Sequence, residues 1–348
     1  MPFRDWHCPL RRTNFPRVKS SVAGTAARWL APFFAVAAVV AGVASPVQAP
    51  QIQLASEANP LVGKPFYVDP ISKAMRAAQS NPSPQLDYVA NTPQAYWLDQ
   101  AFPASSVGGT VSKLVGAAQA AGATPVLSIY ALPHRDCYSY AAGGFGSADG
   151  YRAWIDAISA GLGSAPAAII LEPDALAMAD CLTADQRAER FDLIRYAVDT
   201  LTRDPAAAVY IDAGHSRWVS ADKMAAMLND VGVARAQGFS LNTTNYYTTE
   251  EQMGYGNAIS GMTGGSHYVI DTSRNGRGPE SDSDMAWCNP KGRALGVPPT
   301  TATGNPNVDA FLWVKRVGES DGSCGRGEPG AGTFVNQYAI DLALNAGI

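Results

Sequence analysis

The chain is punctuated by short apolar runs, each followed by an acid. Ala168-Ile169-Ile170-Leu171 runs into Glu172-Pro173-Asp174, Val126-Leu127-Ser128-Ile129-Tyr130 precedes Arg135-Asp136, and Ala208-Val209-Tyr210-Ile211 precedes Asp212. Tyr268-Val269-Ile270 leads into Asp271, and Phe311-Leu312-Trp313-Val314 leads through Lys315 to Glu319 and Asp321. Each run has the length and β-branched content of a buried strand. Stretches with helical spacing separate them, which predicts βα units around a parallel sheet. In a βα barrel the loops after the strands open on one face, so these acids predict one carboxylate-lined cleft. An acid after a strand also serves as a helix N-cap. Asp174 stands apart because Pro173 fixes the backbone before it and Glu172 adjoins it. Crowded carboxylates repel, and one of them then keeps its proton.

The same patterns predict strands near 65–69, 86–89, 125–130, 167–172, 207–212, 237–241, 267–271 and 310–315. Thr183-Ala184-Asp185-Gln186 is a capping-box pattern that opens a helix to about Arg203. Val111 to Ala121 ends at Gly122, a C-cap signal. Ser220 opens a helix to about Asn229, and Val335 to Asn345 is the last, stopped by Gly347. Residues 272–308 are rich in Gly, Pro, Asn and Ser; a loop that long is usually functional, and it is expected to wall the cleft.

A length of 348 residues with 47% hydrophobic content suits one large barrel or two small domains. No linker interrupts the pattern after Pro65, which favours one domain. At the N-terminus, Arg11, Arg12, Arg17, Lys19 and Arg28 precede an apolar stretch from Trp29 to Ala44. This reads as an export signal over 1–44, cut after Ala44, with a flexible lead-in over 45–60 and the domain over 61–348. A retained anchor is the alternative. Without 1–44 the chain carries 20 basic and 29 acidic residues, a net charge of -9. An acidic chain without basic runs is a poor nucleic-acid binder.

Cys137, Cys181, Cys288 and Cys324 remain after the export segment, an even count that reads as two disulfides with three possible connectivities. Sequential pairing is physically attractive. Cys137–Cys181 would tie the loops of Asp136 and Asp174, and Cys288–Cys324 the loops of Trp287 and Asp321. There is no CxxC and no Cys/His cluster, so no metal site is expected.

The stretch Ser128-Ile129-Tyr130-Ala131-Leu132-Pro133-His134-Arg135-Asp136-Cys137, followed by Gly143-Gly144-Phe145-Gly146, resembles one signature of glycoside hydrolase family six. Ala168 through Glu172-Pro173-Asp174 to Ala177 resembles its second. Further matches follow in family order. They are Tyr210-Ile211-Asp212-Ala213-Gly214-His215-Ser216-Arg217-Trp218, Ile270-Asp271-Thr272-Ser273-Arg274-Asn275-Gly276, Trp287-Cys288-Asn289-Pro290, and Asp309 through Lys315 to Glu319-Ser320-Asp321-Gly322. The resemblance implies a secreted actinobacterial endo-β-1,4-glucanase in an α/β fold. That fold is a distorted, TIM-like (β/α) barrel with seven strands in a closed wall. It implies inversion at the anomeric carbon and no metal or cofactor. Residue by residue, it makes Asp174 the general acid and Asp136 the modulator of its pKa and stabiliser of the transition state. Asp321 becomes the proposed base, acting directly or through a chain of waters. Trp97, Tyr130, Asp212, His215, Trp218, Asn245, Trp287, Lys315 and Glu319 fall at sugar-binding positions.

The sequence departs from the family pattern at Arg316-Val317, where Pro-containing sequence is common, which puts the backbone between Lys315 and Glu319 in question. The loop Gly322 to Gly330 is short, which suggests an open cleft and internal attack. A glucan-binding protein without catalysis would use the same aromatics but has no need of Asp136, Asp174 and Asp321 together. An exo-acting cellobiohydrolase of the family would need longer roofing loops. A metal-dependent hydrolase would need more His ligands than His134, His215 and His267. The expected partner is a β-1,4-glucan polysaccharide or oligosaccharide. Nucleic acid binding and stable membrane insertion are not expected, and a monomer is.

Overall fold

The computed structural model describes residues 59–138, 140–281 and 285–348. The expected export segment and most of the lead-in lie outside the described residues. Seven parallel strands form one sheet in sequential order. They are β1 (Tyr96–Leu98), β2 (Val126–Ile129), β3 (Ala167–Leu171), β4 (Ala207–Asp212), β5 (Gly238–Leu241), β6 (His267–Asp271) and β7 (Val308–Leu312). The helices are α1 (Lys73–Ser80), α2 (Pro84–Ala90), α3 (Ala104–Ala120), α4 (Ala148–Leu162), α5 (Ala184–Leu201), α6 (Ala221–Val231), α7 (Thr249–Met262) and α8 (Asn336–Asn345). Side chains alternate across the strands. Leu127, Ile129, Ile169, Leu171, Val209 and Ile211 pack toward the helices, whereas Val126, Ala168, Ile170, Ala208, Tyr210, Val269 and Leu312 form a second cluster on the other face. Both faces are therefore apolar, which is why the strands read as continuous runs.

The wall is not closed as expected: the sheet is open, with β1 and β7 at its edges. Phe311 turns its backbone to Thr300 in an antiparallel bridge, so β7 spends its outer hydrogen bonds there. Two contacts join the edges instead, Ala95 N to Trp313 O at 2.9 Å and Trp97 Nε1 to Val314 O at 2.8 Å. The ladder of β7 stops at Leu312, short of the expected 315, because Val314 N and Lys315 N donate to the Asp271 carboxylate.

Other differences have equally local causes. The expected strand at 86–89 is α2, where Ser83 Oγ caps Leu86 N and Pro84 occupies the first turn. The expected strand at 65–69 is a single bridge between Phe66 and Thr124. Helix α3 begins seven residues before Val111, running through Gly108. A Cβ at Gly108 would lie 2.7 Å from Ala157 O, so glycine permits the close crossing of α3 and α4. The Thr183–Gln186 capping box forms as expected at the start of α5. Trp313 is core, packed with α1, α2 and α8.

Candidate active site

After β2 the chain turns through positive φ at His134, Asp136 and Cys137. Arg135, largely buried, holds that turn: Nε donates to Ala141 O at 2.9 Å, and Nη1 donates to Gln100 Oε1 and Tyr130 O at 2.8 and 2.6 Å. Its guanidinium lies 4.2 Å over the Tyr130 ring. The Asp136 carboxylate accepts Ala141 N at 2.6 Å. Burial raises the Asp136 pKa against the pull of that N–H and of Arg135.

After β3 the chain turns again, with φ of 53° at Glu172 and 67° at Asp174. Asp174 N donates to Asp212 Oδ1 at 2.9 Å, which brings the carboxylate of β4 against the β3 loop. Burial, then the negative charges of Asp212 and Asp136, hold the Asp174 pKa well above the ordinary carboxylate range. A carboxyl so placed keeps a proton to donate. Burial also pushes Asp212 up to about 6, opposed by N–H and O–H groups that include Asp174 N, Gly214 N and Ser240 Oγ.

The disulfide Cys137–Cys181 joins these two loops, and Cys288–Cys324 joins those of β6 and β7. The first spans 44 positions of sequence. Replacing Cys137 and Cys181 by Ser is expected to cost about 4 kcal/mol of stability in the loop-entropy model. Thermal unfolding of the double variant checks this. A loss of activity exceeding the loss of folded protein is expected as well, because the bridge joins the loops of both acids.

Asp321, on the β7 loop, has a different environment. Arg274 Nη1 donates to both its oxygens at 3.0 and 2.8 Å, and Lys315 Nζ lies 2.9 Å from Oδ1. Tyr246 Oη and Asn289 N donate to Oδ2 at 3.2 and 3.0 Å. Burial pushes this carboxyl up, but Arg274 and Lys315 outweigh it and hold it down at about 2. Asp174 is thus held toward its protonated form and Asp321 toward its ionised form, the division that acid–base catalysis needs.

A family model for the glycosyl hydrolases family 6 matches residues 57–346. The chain belongs to that family. It is 45% identical over 285 residues to endoglucanase A of Cellulomonas fimi, covering 81% of this chain and 61% of that protein's length. Against endoglucanase 1 of Streptomyces halstedii it is 38% identical, over 80% of this chain and 87% of the relative. The endoglucanase Cel6 of Mycobacterium tuberculosis, solved with methyl-cellobiosyl-4-deoxy-4-thio-β-D-cellobioside, superposes with a TM-score of 0.83. It is 71% identical over 84% of this chain and all of that one.

The other expected site residues of this family 6 chain fall into distinct environments. His215 packs against Tyr247 and Trp218, with ring centroids 4.3 and 5.3 Å apart. Its Nδ1 accepts Arg217 N at 3.2 Å, and burial lowers its pKa to about 4, so it is neutral at pH 7. Trp218 is 39% exposed, which leaves indole surface for stacking. Trp97 meets Tyr130 edge-on at 5.5 Å. Trp287 contacts Tyr140 of the β2 loop, with centroids 5.8 Å apart. Asn245 is largely buried and donates to Thr243 O at 3.1 Å.

Lys315 and Glu319 do not pair with each other. Lys315 pairs with Asp321, while Glu319 lies 3.2 Å from Lys73 Nζ and 2.9 Å from Arg316 Nη2. The departure at Arg316 thus supplies a partner for Glu319. Asp271 occupies the same strand-end position as Asp212, but its carboxylate accepts Ser273 N, Val314 N, Thr244 N and Lys315 N. It staples the β5, β6 and β7 loops together. Sequence reasoning missed the groups around Asp321. Arg274 lay within a quoted motif and could have been found as the cation a buried acid requires. Asn289 also lay within a family motif, whereas Tyr246 carried no such signal.

Proposed function

We propose that this protein is an endo-acting glycosidase that hydrolyses internal β-1,4-glucosidic bonds of cellulose or a related β-glucan with inversion. The observation that carries the reading is the Asp174 carboxyl, kept protonated by burial, Asp212 and Asp136, while Asp321 is held ionised. Asp174 donates its proton to the leaving oxygen. Asp136, the nearby acid, steadies the positive charge that develops on the sugar ring. With a pKa near 2 and both oxygens engaged, Asp321 acts through water rather than by direct capture: the attacking water bonds the anomeric carbon as the glycosidic bond breaks, and passes its proton along bridging waters to the solvent, steadied by this fixed anion. Trp218, Trp97 and Trp287 offer flat faces to the C–H faces of the sugars, and Tyr130, Asp212, His215, Asn245, Lys315 and Glu319 supply polar contacts. The ligand of the M. tuberculosis relative and the endoglucanase names of the bacterial relatives support this substrate class. No metal or cofactor is required by this scheme. Export through the N-terminal segment is part of the proposal, supported by the two disulfides.

The short loop after Asp321 favours internal attack. Soluble carboxymethyl-cellulose is therefore expected to lose viscosity quickly while few reducing ends appear, and proton NMR of early products should show the inverted anomer. The observation on the other side is the Tyr140–Trp287 contact, which brings the β2 and β6 loops together. If that contact roofs the cleft, cellobiose will be released almost alone with viscosity barely falling, the exo-acting outcome.

A further inference from the structure

The two acids sit on turns with positive φ at His134, Asp136, Cys137, Glu172 and Asp174. Non-glycine residues persist in such turns only where the surroundings over-determine them. Two buried ionisable side chains that the mechanism does not use lie between the turns. Glu172, 1% exposed at the end of β3, reaches the start of the β2 loop. Its carboxylate accepts Ala131 N at 3.0 Å and Leu132 N at 3.2 Å, and its own N–H donates to Ile129 O at 2.8 Å. Arg190, 3% exposed on α5, reaches both loops from behind. Its Nη2 donates to His134 O at 2.7 Å and its Nη1 to Ala175 O at 3.0 Å. Together with Asp136 and Asp174, Glu172 and Arg190 line one small void. Burying ionisable groups is costly, so what these two side chains fix in space is the more informative property.

We propose that Glu172 and Arg190 are positioning residues: they lock the β2 loop against the β3 loop and thereby set the approach of Asp136 to Asp174. The disulfide Cys137–Cys181 closes the same pair of loops further along. The charged and titratable groups around Asp174 are Asp212 from β4, Asp136 with its neighbour Arg135 from the β2 loop, Tyr130 from the end of β2, and Glu172 and Arg190 themselves, which line the same void; burial pushes the Glu172 carboxyl up to about 7. Of these, Asp136 is the one whose place depends on the clasp.

The inference rests on the reading of Asp174 as the general acid. Its test uses Glu172→Gln and Arg190→Gln, which change the local charge in opposite senses. Carboxymethyl-cellulose kinetics, the pH profile of kcat/KM and thermal unfolding are measured for both. The expected result is a fall in kcat of about 10-fold or more, the scale of lost orientation, with KM changed by less than about twofold. In both variants the alkaline limb should move to lower pH by about half a unit, because a more distant Asp136 no longer raises Asp174 as far. Through-space charge alone would move the Arg190→Gln limb to higher pH. If Arg190→Gln does not fold, Arg190→Lys keeps the charge and loses the fork, and its limb should still move to lower pH. An unmoved or alkaline-shifted limb in the arginine variant, or a loss that only tracks unfolded protein, overturns the inference. If Asp174→Asn is itself fully active, the functional reading fails instead.

Discussion

Asp174→Asn is expected to cut turnover on β-1,4-glucan by about 10²-fold or more, the scale of a lost general acid. The amide keeps the shape of the side chain but has no proton to give to the leaving oxygen. The defect should shrink on aryl glycosides whose leaving group departs unprotonated. Equal losses on aryl glycosides and on glucan would show that Asp174 is not the acid. Stability should move the other way. The folded pKa of Asp174 is raised, so the protonated form favours folding. That contribution is fully present below the ordinary carboxylate pKa and is lost as pH rises through the raised value. The amide escapes this loss, so the variant should melt at or above wild type at pH 7. The gap should close near pH 4. Calorimetry at the two pH values separates the catalytic from the structural effect.

Asp321→Ala is expected to abolish activity and to destabilise the fold by about 3–5 kcal/mol, the cost of breaking a buried ion pair on one side. The side chains of Arg274 and Lys315 are 4% and 11% exposed, so both cations would remain buried without their anion. Adding Arg274→Met should recover part of the stability but none of the activity. The sign of the pH dependence is opposite to that of Asp174. Asp321 is held at about 2, below its ordinary value. Its contribution is therefore present above about pH 4 and is lost as pH falls through 2, amounting to about 2 kcal/mol. Urea titrations at pH 3 and pH 6 check this. A loss below about 1 kcal/mol in the single variant would mean that the cations find other partners.

Part of this molecule was legible in the chain because its signals are local. The central strands announced themselves as continuous apolar runs, since both faces of the sheet are buried. Thr183 and Gln186 announced the start of α5, because a capping box is a contact across three residues. The same local logic misread α2, whose residues Leu86, Val89 and Ala90 bury at helical spacing behind a Ser-Pro start. It also passed over β1, which at three residues carries no period to detect.

What the sequence by itself determined was the parallel α/β order and the placing of acids after five of the strands; it left three cysteine connectivities open and favoured the sequential one. The tertiary structure alone decided whether the wall closes, because that depends on Thr300 taking the free edge of Phe311. It also decided what each strand-end acid does. Asp174, Asp271 and Asp321 all follow apolar runs. Asp271 is saturated by backbone N–H groups from three loops, Asp321 is clamped by Arg274 and Lys315, and Asp174 is left among other carboxylates. The charge state of a carboxyl is set by its neighbours in space, and those neighbours come from loops that are far apart along the chain.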